Sequence, residues 1–210
     1  MEATIKGVRF DSRRHEYWYM GKHVPSVSEI VGLLSLTDKR WYKPWHCQRG
    51  SMIHWLTQCV DEGTTDSDEV ESVYAGYLKA YEQFLREHEL HYDLTETPMV
   101  NPQYLFAGTP DRIGTLDGEH MILDIKSGYP SDDHALQLGG YWILVGEYFR
   151  RKIVLYLRSN GTYSILYKDL KQHDDYPALF LTALFCYHQK HGKPLVQFIK
   201  SLNEKKGVAI

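Results

Sequence analysis

The sequence predicts an α/β protein with a mixed central β-sheet flanked by α-helices. Two antiparallel hairpins are the first observation: residues 108–128 and 151–167 each show strand-like segments on either side of a turn signal, Asp-Gly in one and Ser-Asn-Gly in the other. The second observation is the apolar repeat at helical spacing over 69–87, followed by a further helical segment over 135–149. Hairpins that alternate with amphipathic helices favour a sheet covered by helices.

Composition indicates one globular domain. The chain has 210 residues, of which 43% are hydrophobic and 24% charged, and both values are ordinary for such a domain. The net charge of −3 excludes a global basic field, although a local basic groove would be enough to bind nucleic acid. There is no apolar run near the ~20 residues of a membrane span, and the three cysteines are scattered. We therefore expect an intracellular, reduced protein with no membrane partner.

The first third of the chain is expected to form a hairpin and two helices. Residues 7–24 predict a small β-hairpin, and Ser26 with Glu29 forms a capping box that starts a helix. The basic and aromatic segment 39–46 has two open interpretations. It is either a nucleic-acid contact with cations and stacking rings, or an irregular helix edge that packs its Trp residues into the core. A second helix is expected over 49–60.

The middle of the chain predicts a linker, a helix and a strand. Residues 61–68 are polar, the helix over 69–87 carries its apolar side chains on one face, and residues 94–100 are expected to form the first strand of the sheet. Glu96 lies within that expected strand.

The second half predicts three more helices. Asp132 or Asp133 is expected to cap the helix over 135–149, in which two adjacent glycines cost about 1 kcal/mol each relative to Ala. Close packing of that helix onto the sheet would explain this cost. Further helices are expected over 176–188 and 194–202.

The hairpin over 108–128 concentrates charged groups. Because side chains alternate along a strand, Asp124 and Lys126 share one face while Ile125 points into the core. Asp111 is expected on the partner strand, where cross-strand neighbours lie within about 5–8 Å. Two carboxylates about 4 Å apart repel by roughly 4 kcal/mol at an effective dielectric near 20. A hard divalent cation such as Mg²⁺ removes that repulsion.

The same residues carry a family resemblance. Pro110-Asp111 followed by Asp124-Ile125-Lys126 resembles the signature of the PD-(D/E)xK nuclease superfamily. That short signature recurs by chance in unrelated proteins, so it gains weight only from further elements in the right order.

Two further elements are similar to the RecB-like branch of the superfamily, which includes phage-type exonucleases. An upstream Gly-x-x-x-His runs from Gly50 to His54, and a downstream Gln-x-x-x-Tyr runs from Gln137 to Tyr141. The resemblance is tight over residues 54–141 and loose in the flanks. It implies a restriction-endonuclease-like core in a single nuclease domain. The expected parts are an N-terminal hairpin and helices over 1–65, the catalytic core over about 66–170 and C-terminal helices over 171–210.

The resemblance also implies a metal site. The metal, Mg²⁺ with Mn²⁺ as a substitute, would be held by the side chains of His54, Asp111 and Asp124 and by the main-chain carbonyl of Ile125. Lys126 would orient or help to deprotonate the attacking water, or stabilise the pentavalent phosphorus oxyanion. Some RecB-like nucleases hold an iron–sulfur cluster with four cysteines, and we expect none in a chain with three.

Glu96 corresponds to a glutamate that many RecB-like proteins place shortly before the Asp motif. It would reach the metal through water or position a helix, and the alternative is a solvent-facing strand residue. The expected catalytic residues are therefore Lys126, Asp124, Asp111 and Glu96.

A further set of residues is expected to contact nucleic acid around this site. Gln137 and Tyr141 lie four positions apart and so share one helix face. Gly50 lies one turn before His54, where the lack of a side chain would permit close approach of a phosphate. The full set is Gln137, Tyr141, Arg49, Gly50, Arg112 and Ser127.

The resulting functional expectation is a metal-dependent deoxyribonuclease. An exonuclease that processes DNA ends in recombination, repair or phage DNA processing is favoured over a structure-specific endonuclease that cuts flaps or junctions. Expected partners are DNA and, by family resemblance, a strand-annealing or other replication and recombination protein, in a bacterial or phage-infected cytoplasm. A homo-oligomer is one possible arrangement. A non-catalytic nuclease-like module and a hydrolase that pairs Glu96 with Asp124 are the alternatives.

Overall fold

A five-stranded mixed sheet forms the centre of the protein. The structure is a computed structural model that describes residues 7–34, 36, 43–66, 70–146, 151–169 and 175–192. The helices of the described residues are Val27–Leu34 (α1), Pro44–Asp61 (α2), Ser72–Glu87 (α3), Asp132–Val145 (α4) and Tyr176–Lys190 (α5). The strands are Val8–Asp11 (β1), Glu16–Tyr19 (β2), Lys22–Val24 (β3), Leu90–Thr95 (β4), Met99–Asn101 (β5), Phe106–Gly108 (β6), Arg112–Leu116 (β7), Glu119–Lys126 (β8), Arg151–Leu157 (β9) and Tyr163–Asp169 (β10). This architecture confirms the predicted α/β class with a mixed sheet flanked by helices.

The strand order of the central sheet is β10-β9-β8-β7-β4. Strands β8 and β9 are parallel, and the other neighbours are antiparallel. Parallel neighbours need a crossover, and α4 lies in the chain between β8 and β9. The predicted hairpin over 151–167 is confirmed as the antiparallel pair β9 and β10.

The hairpin that was expected to carry the charged site is confirmed as β7 and β8. Its Asp117-Gly118 turn has positive φ at both residues, 50° and 80°, and Asp-Gly is favoured where a two-residue loop needs this geometry. One detail was wrong: Asp111 lies just before β7 rather than on the strand.

Two apolar layers cover the two faces of the central sheet. Leu123 and Ile125 of β8 pack with α2 and α3, whereas Ile122 packs with α1, α4 and α5. Because side chains alternate along β8, Asp124 points to the same face as Ile122. Asp124 and Lys126 therefore lie on the α4 side of the sheet.

The expected first strand over 94–100 was wrong in its bounds. The sheet strand is β4, which ends at Thr95, while β5 belongs to a separate two-stranded sheet with β6. Glu96 has a φ of 44°, a left-handed conformation that interrupts an extended strand, and Pro98 follows. The chain therefore turns out of the sheet at Glu96.

The N-terminal segment forms three strands rather than the expected hairpin, because β3 adds to β2 after the Gly21 turn. The predicted capping box at α1 is confirmed. The backbone N–H of Glu29 donates to Ser26 Oγ at 3.1 Å, and the backbone N–H of Ser26 donates to Glu29 Oε2 at 2.7 Å.

Two helix starts differ from the expectation. Helix α2 begins at Pro44, five residues earlier than expected, since Pro is suited to the first turn of a helix. Trp45 stacks on Tyr74 of α3, which places this Trp of the basic and aromatic segment against the protein, and residues 39–42 lie outside the described residues. The N-cap of α4 is Ser131 rather than Asp132 or Asp133.

The adjacent glycines of α4 pack against helices rather than the sheet. A Cβ at Gly139 would lie 2.9 Å from the Pro177 backbone, and one at Gly140 would lie 2.6 Å from the Phe180 ring. Close approach of α5, not of the sheet, therefore explains the two glycines.

The remaining helix predictions have mixed outcomes. Helices α3 and α5 confirm the segments expected over 69–87 and 176–188 to within a few residues. The helix expected over 194–202 lies outside the described residues. None of the helices described here is long and apolar enough to cross a membrane.

Candidate active site

Three of the expected site residues form one cluster. The Nδ1 atom of His54 lies 3.3 Å from Asp111 Oδ1 and 3.4 Å from Glu96 Oε1. One potential ligand atom from each residue falls within 4.8 Å of the others. The cluster joins three distant parts of the chain: helix α2, the turn after β4 and the residue before β7.

Backbone hydrogen bonds hold Asp111 in this cluster. Its Oδ2 accepts from the backbone N–H of Ile125 at 2.5 Å, and its carbonyl accepts from the backbone N–H of Glu96 at 3.0 Å. The carboxylate is buried, so these bonds fix its direction. The first bond also ties Asp111 to the strand that carries Asp124.

Asp124 and Lys126 form a pair on the α4 face of β8. Lys126 Nζ lies 2.6 Å from Asp124 Oδ2, with Asp124 fully buried and the Lys126 side chain 18% exposed. The Oδ1 atom of Asp124 has no hydrogen-bond partner among the described residues. A buried carboxylate oxygen that accepts no hydrogen bond lowers the stability of the folded protein unless a ligand binds to it.

The pKa values of the cluster reflect crowded carboxylates. Burial lowers the pKa of His54, but the Asp111 carboxylate and hydrogen bonds to Asp111 and Glu96 raise it to about 10. Burial raises the pKa of Asp111, and the neighbouring His54 offsets this and holds it below the usual value. Burial raises the pKa of Asp124 to about 6 despite the Lys126 ammonium, and Asp111 adds to the rise.

These residues fit a divalent cation on two grounds. Four carboxyl side chains lie here, those of Asp61, Glu96, Asp111 and Asp124, and only two basic side chains other than histidine lie among them, Arg112 and Lys126. The unserved Oδ1 of Asp124 is the second ground. Carboxylate oxygens and an imidazole nitrogen are both common ligands of divalent metal ions.

The α4 side of the site contains a pair that sequence reasoning missed. Tyr156 of β9 is the register partner of Lys126, and its phenol lies 2.9 Å from His134 Nδ1. The backbone N–H of Ser131 also hydrogen-bonds the phenol, and burial raises its pKa to about 12. Burial, together with the Lys126 ammonium, lowers the pKa of His134 to about 4. Tyr156 thus anchors the N-terminal turn of α4 beside Lys126.

Two expected nucleic-acid contacts meet at the mouth of the site. Arg49 of α2 donates from Nε to Ser127 Oγ at 3.3 Å, and its guanidinium lies 5.9 Å from the Tyr77 ring centroid. A Cβ at Gly50 would meet no atom within 4 Å, so open space adjoins this position. The nucleic-acid contacts expected of Arg49, Gly50 and Ser127 remain predictions.

Gln137 and Tyr141 contact each other on one face of α4, where Gln137 Nε2 donates to the Tyr141 phenol at 2.9 Å. Tyr141 is only 5% exposed. Burial raises its pKa well above the ordinary value, and the nearby Asp124 and Asp111 carboxylates add to the shift. The pair therefore borders the two carboxylates, while the buried phenol offers little surface to a nucleic-acid backbone.

The structure does not support the expected contact of Arg112 with nucleic acid. Its side chain is fully buried. The guanidinium lies against Asp61, with Arg112 Nε 2.6 Å from Asp61 Oδ2. A guanidinium enclosed in this way has no surface left for a phosphate, so the expected role is corrected to one inside the protein.

Asp61 and Thr57 are site neighbours that sequence reasoning also missed. Both lie on α2, Thr57 three positions and Asp61 seven positions after His54, and this spacing returns a side chain to nearly the same helix face. The helical repeat of 50, 54, 57 and 61 was therefore the available signal. The linker predicted over 61–68 ends the expected helix one residue too early to include Asp61 in this repeat.

The similarity of this chain to known proteins is low. No family model matches the sequence, and no curated protein matches it. Among solved structures, an alkaline exonuclease from Laribacter hongkongensis has a TM-score of 0.45 and 12% sequence identity, covering 86% of this chain and 90% of that chain. A protein described as SSO0001 has a TM-score of 0.38 and 16% identity, covering 80% of this chain and 76% of that one. At this level of similarity neither match carries an argument about function.

Proposed function

We propose that this protein is a metal-dependent nuclease that hydrolyses phosphodiester bonds in DNA. The observation that carries the proposal is the convergence of His54, Glu96 and Asp111 beside the buried Asp124–Lys126 pair. These residues come from separate elements, and their shared position gives the site an excess of negative charge that a divalent cation balances. The nuclease-like order of the motifs in the sequence supports the same chemistry.

We assign Mg²⁺, with Mn²⁺ as a substitute, to the side chains of His54, Asp111 and Asp124 and the carbonyl of Ile125. Glu96 joins this set because its carboxylate shares the cluster with His54 and Asp111. When bound, such a cation polarises a phosphoryl oxygen and lowers the pKa of a coordinated water. The imidazole of His54 would bind the cation in its neutral form, so metal binding would displace a proton from it.

Lys126 would act on the phosphate or on the attacking water. Its ammonium is partly exposed at the end of β8 and is held by Asp124 Oδ2. From there it can donate to a developing phosphorane oxygen or orient the water by hydrogen bonding. Arg49 and Ser127 would receive the phosphate backbone at the mouth of the site, where open space adjoins Gly50.

An exonuclease that starts from DNA ends is the favoured form of this activity, as the RecB-like motif order implies. An endonuclease that recognises flaps or junctions is the second candidate. We also propose that the protein works with a strand-annealing or recombination protein and that it forms a homo-oligomer.

The test is cleavage of four substrates with Mg²⁺ or Mn²⁺: linear duplex, closed circular duplex, linear single strand and circular single strand. Wild type is compared with Asp111→Asn and with Asp93→Asn. The second variant makes the same chemical change at an exposed carboxylate outside the cluster.

Loss of linear DNA alone is expected, and it should disappear with Asp111→Asn or chelator but persist with Asp93→Asn. Nicking of the circles would favour the endonuclease. Binding of DNA without cleavage of any substrate would reject the nuclease and favour a non-catalytic module.

A further inference from the structure

Among the residues that the structure describes, Arg112 is the largest fully buried side chain. A guanidinium removed from water is stable only when its nitrogens find oxygen partners. Here all three do. Nε donates to Asp61 Oδ2 at 2.6 Å, Nη1 donates to the Asp111 carbonyl at 2.8 Å, and Nη2 donates to Thr57 Oγ1 at 3.3 Å.

These contacts reach every member of the His54, Glu96 and Asp111 cluster. Arg112 Nη1 also lies 3.6 Å from Glu96 Oε1, so one nitrogen serves both acidic residues. The hydroxyl of Thr57 accepts from Arg112 and donates to the His54 carbonyl at 2.9 Å. The guanidinium thereby joins helix α2, the turn after β4 and the start of β7 at one point.

The counter-ion of Arg112 is itself held in place. Asp61 accepts from the Tyr81 hydroxyl, at 2.8 Å to Oδ1 and 3.0 Å to Oδ2, in addition to its bond from Arg112. The Tyr81 hydroxyl lies 3.2 Å from that of Tyr92, and the Tyr92 ring centroid lies 5.7 Å from the guanidinium. Fixed partners on both sides leave the guanidinium one orientation.

We propose that Arg112 is a positioning residue that sets the spacing of His54, Glu96 and Asp111 for metal binding. This inference rests on the proposed metal-dependent function. Arg112 touches neither metal nor substrate in this role, and acts through Thr57, Asp61 and the Asp111 carbonyl. Its charge also offsets part of the carboxylate repulsion, so the cluster can form before a metal arrives.

Lysine is the informative replacement. Arg112→Lys keeps the positive charge but supplies one nitrogen on a flexible stem, so it cannot satisfy three oxygen partners that lie in different directions. The charge balance survives, whereas the shared anchoring of the three elements is lost. Arg158→Lys is the matched control, because Arg158 is exposed just after β9 and contacts Ser164 of β10.

The experiment measures Mn²⁺ affinity by calorimetry and the Mn²⁺ electron paramagnetic resonance spectrum, together with DNA affinity in Ca²⁺. We expect Arg112→Lys to weaken Mn²⁺ binding by roughly tenfold or more and to broaden the spectrum. DNA affinity should stay within about threefold of wild type, and cleavage should recover at high Mn²⁺ concentration. Arg158→Lys should match wild type in each measurement.

General destabilisation is separated by two further variants. Phe84→Leu lowers stability from within the apolar core, so its Mn²⁺ affinity should remain that of wild type. Thr57→Val removes only the hydroxyl that links Arg112 to His54, and it should weaken Mn²⁺ binding by about threefold even if Arg112→Lys fails to fold.

Unchanged Mn²⁺ binding in Thr57→Val, or in a folded Arg112→Lys, would overturn the inference. Loss of DNA affinity with unchanged Mn²⁺ affinity would also overturn it, in favour of a direct contact. A wild type that binds no Mn²⁺ would reject the proposed function itself, and that result is distinct from the other two.

Discussion

The two sides of the central sheet differ in how completely their buried charged groups are hydrogen-bonded. On the α2 side, each nitrogen of the Arg112 guanidinium has an oxygen partner, and its counter-ion Asp61 also accepts from Tyr81. On the α4 side, Asp124 is equally buried, but its Oδ1 has no partner among the described residues and its pKa is raised to about 6 by burial.

This difference separates residues that hold the site in shape from residues that are available to bind a ligand. A charged group whose hydrogen bonds are all made to the protein does not bind a ligand. Its contribution is to hold the surrounding elements in place. A buried carboxylate with an unserved oxygen is held in an unfavourable state that a cation would relieve. We therefore expect substitutions of Arg112 and Asp61 to alter stability and geometry, and substitutions of Asp124 and Lys126 to alter chemistry.

The largest effect is expected for Asp124→Asn. Because Asp124 is proposed to bind metal beside the reacting phosphate, cleavage should fall by roughly 10²–10³-fold or more. The melting temperature in chelator should be unchanged or higher, since a buried carboxylate with a raised pKa is replaced by a neutral group of the same shape. Cleavage assays and thermal melts in EDTA measure both. A large fall in melting temperature would contradict the contrast between the two sides.

Asp61→Asn is the counterpart on the α2 side. Breaking a buried ion pair leaves the Arg112 guanidinium uncompensated, which typically costs about 3–5 kcal/mol of unfolding free energy. Urea unfolding followed by circular dichroism should show this loss, with Asp93→Asn as the exposed control. If Asp61→Asn were as stable as wild type, the α2 side would not have the structural role described above.

Lys126→Met is expected to separate chemistry from binding. Loss of the ammonium should lower the cleavage rate by roughly 10²-fold while DNA affinity in Ca²⁺ changes by less than about threefold. Single-turnover cleavage and fluorescence anisotropy measure the two quantities. Lys79→Met, at an exposed position of α3, provides the control. A proportional loss of DNA affinity would instead assign Lys126 to substrate binding.

The effect that is smallest near neutral pH concerns His134. Burial, aided by Lys126, lowers its pKa in the folded protein to about 4, below the ordinary value of 6.5. Between these values the unfolded chain binds more protons, so stability that is complete above pH 6.5 should decline as the pH falls towards 4, by up to about 1.4 kcal/mol per pH unit.

Urea unfolding at pH 7.0, 5.5 and 4.5 tests this, and His134→Gln should flatten the decline. His91→Gln alters an exposed histidine and should retain the wild-type pH dependence. Identical pH profiles for wild type and His134→Gln would show that the neutral His134–Tyr156 contact does not contribute.

Local sequence signals determined much of the fold. The Asp117-Gly118 turn, the Ser26 and Glu29 capping box and the apolar repeat of α3 each depend on residues within a few positions of one another. Backbone conformation and side-chain period act at this range, so these elements could be predicted from the chain alone.

Residue type and order also determined the candidates for the site. Motif spacing predicted four site residues: His54, Asp111, Asp124 and Lys126. The structure brings His54 and Asp111 into contact beside the Asp124–Lys126 pair. Their catalytic roles stay predictions until cleavage is measured.

Tertiary structure alone decided the partners of the buried polar groups. Arg112 carried the same sequence signal as a phosphate contact, yet it is enclosed by Asp61 and Thr57, more than 50 positions earlier in the chain. The position of Glu96 in the cluster likewise depends on a distant partner, because its backbone N–H donates to the Asp111 carbonyl. The physical reason is that a charge is stabilised by whichever groups surround it after folding, and that set is assembled from distant segments that no local pattern specifies.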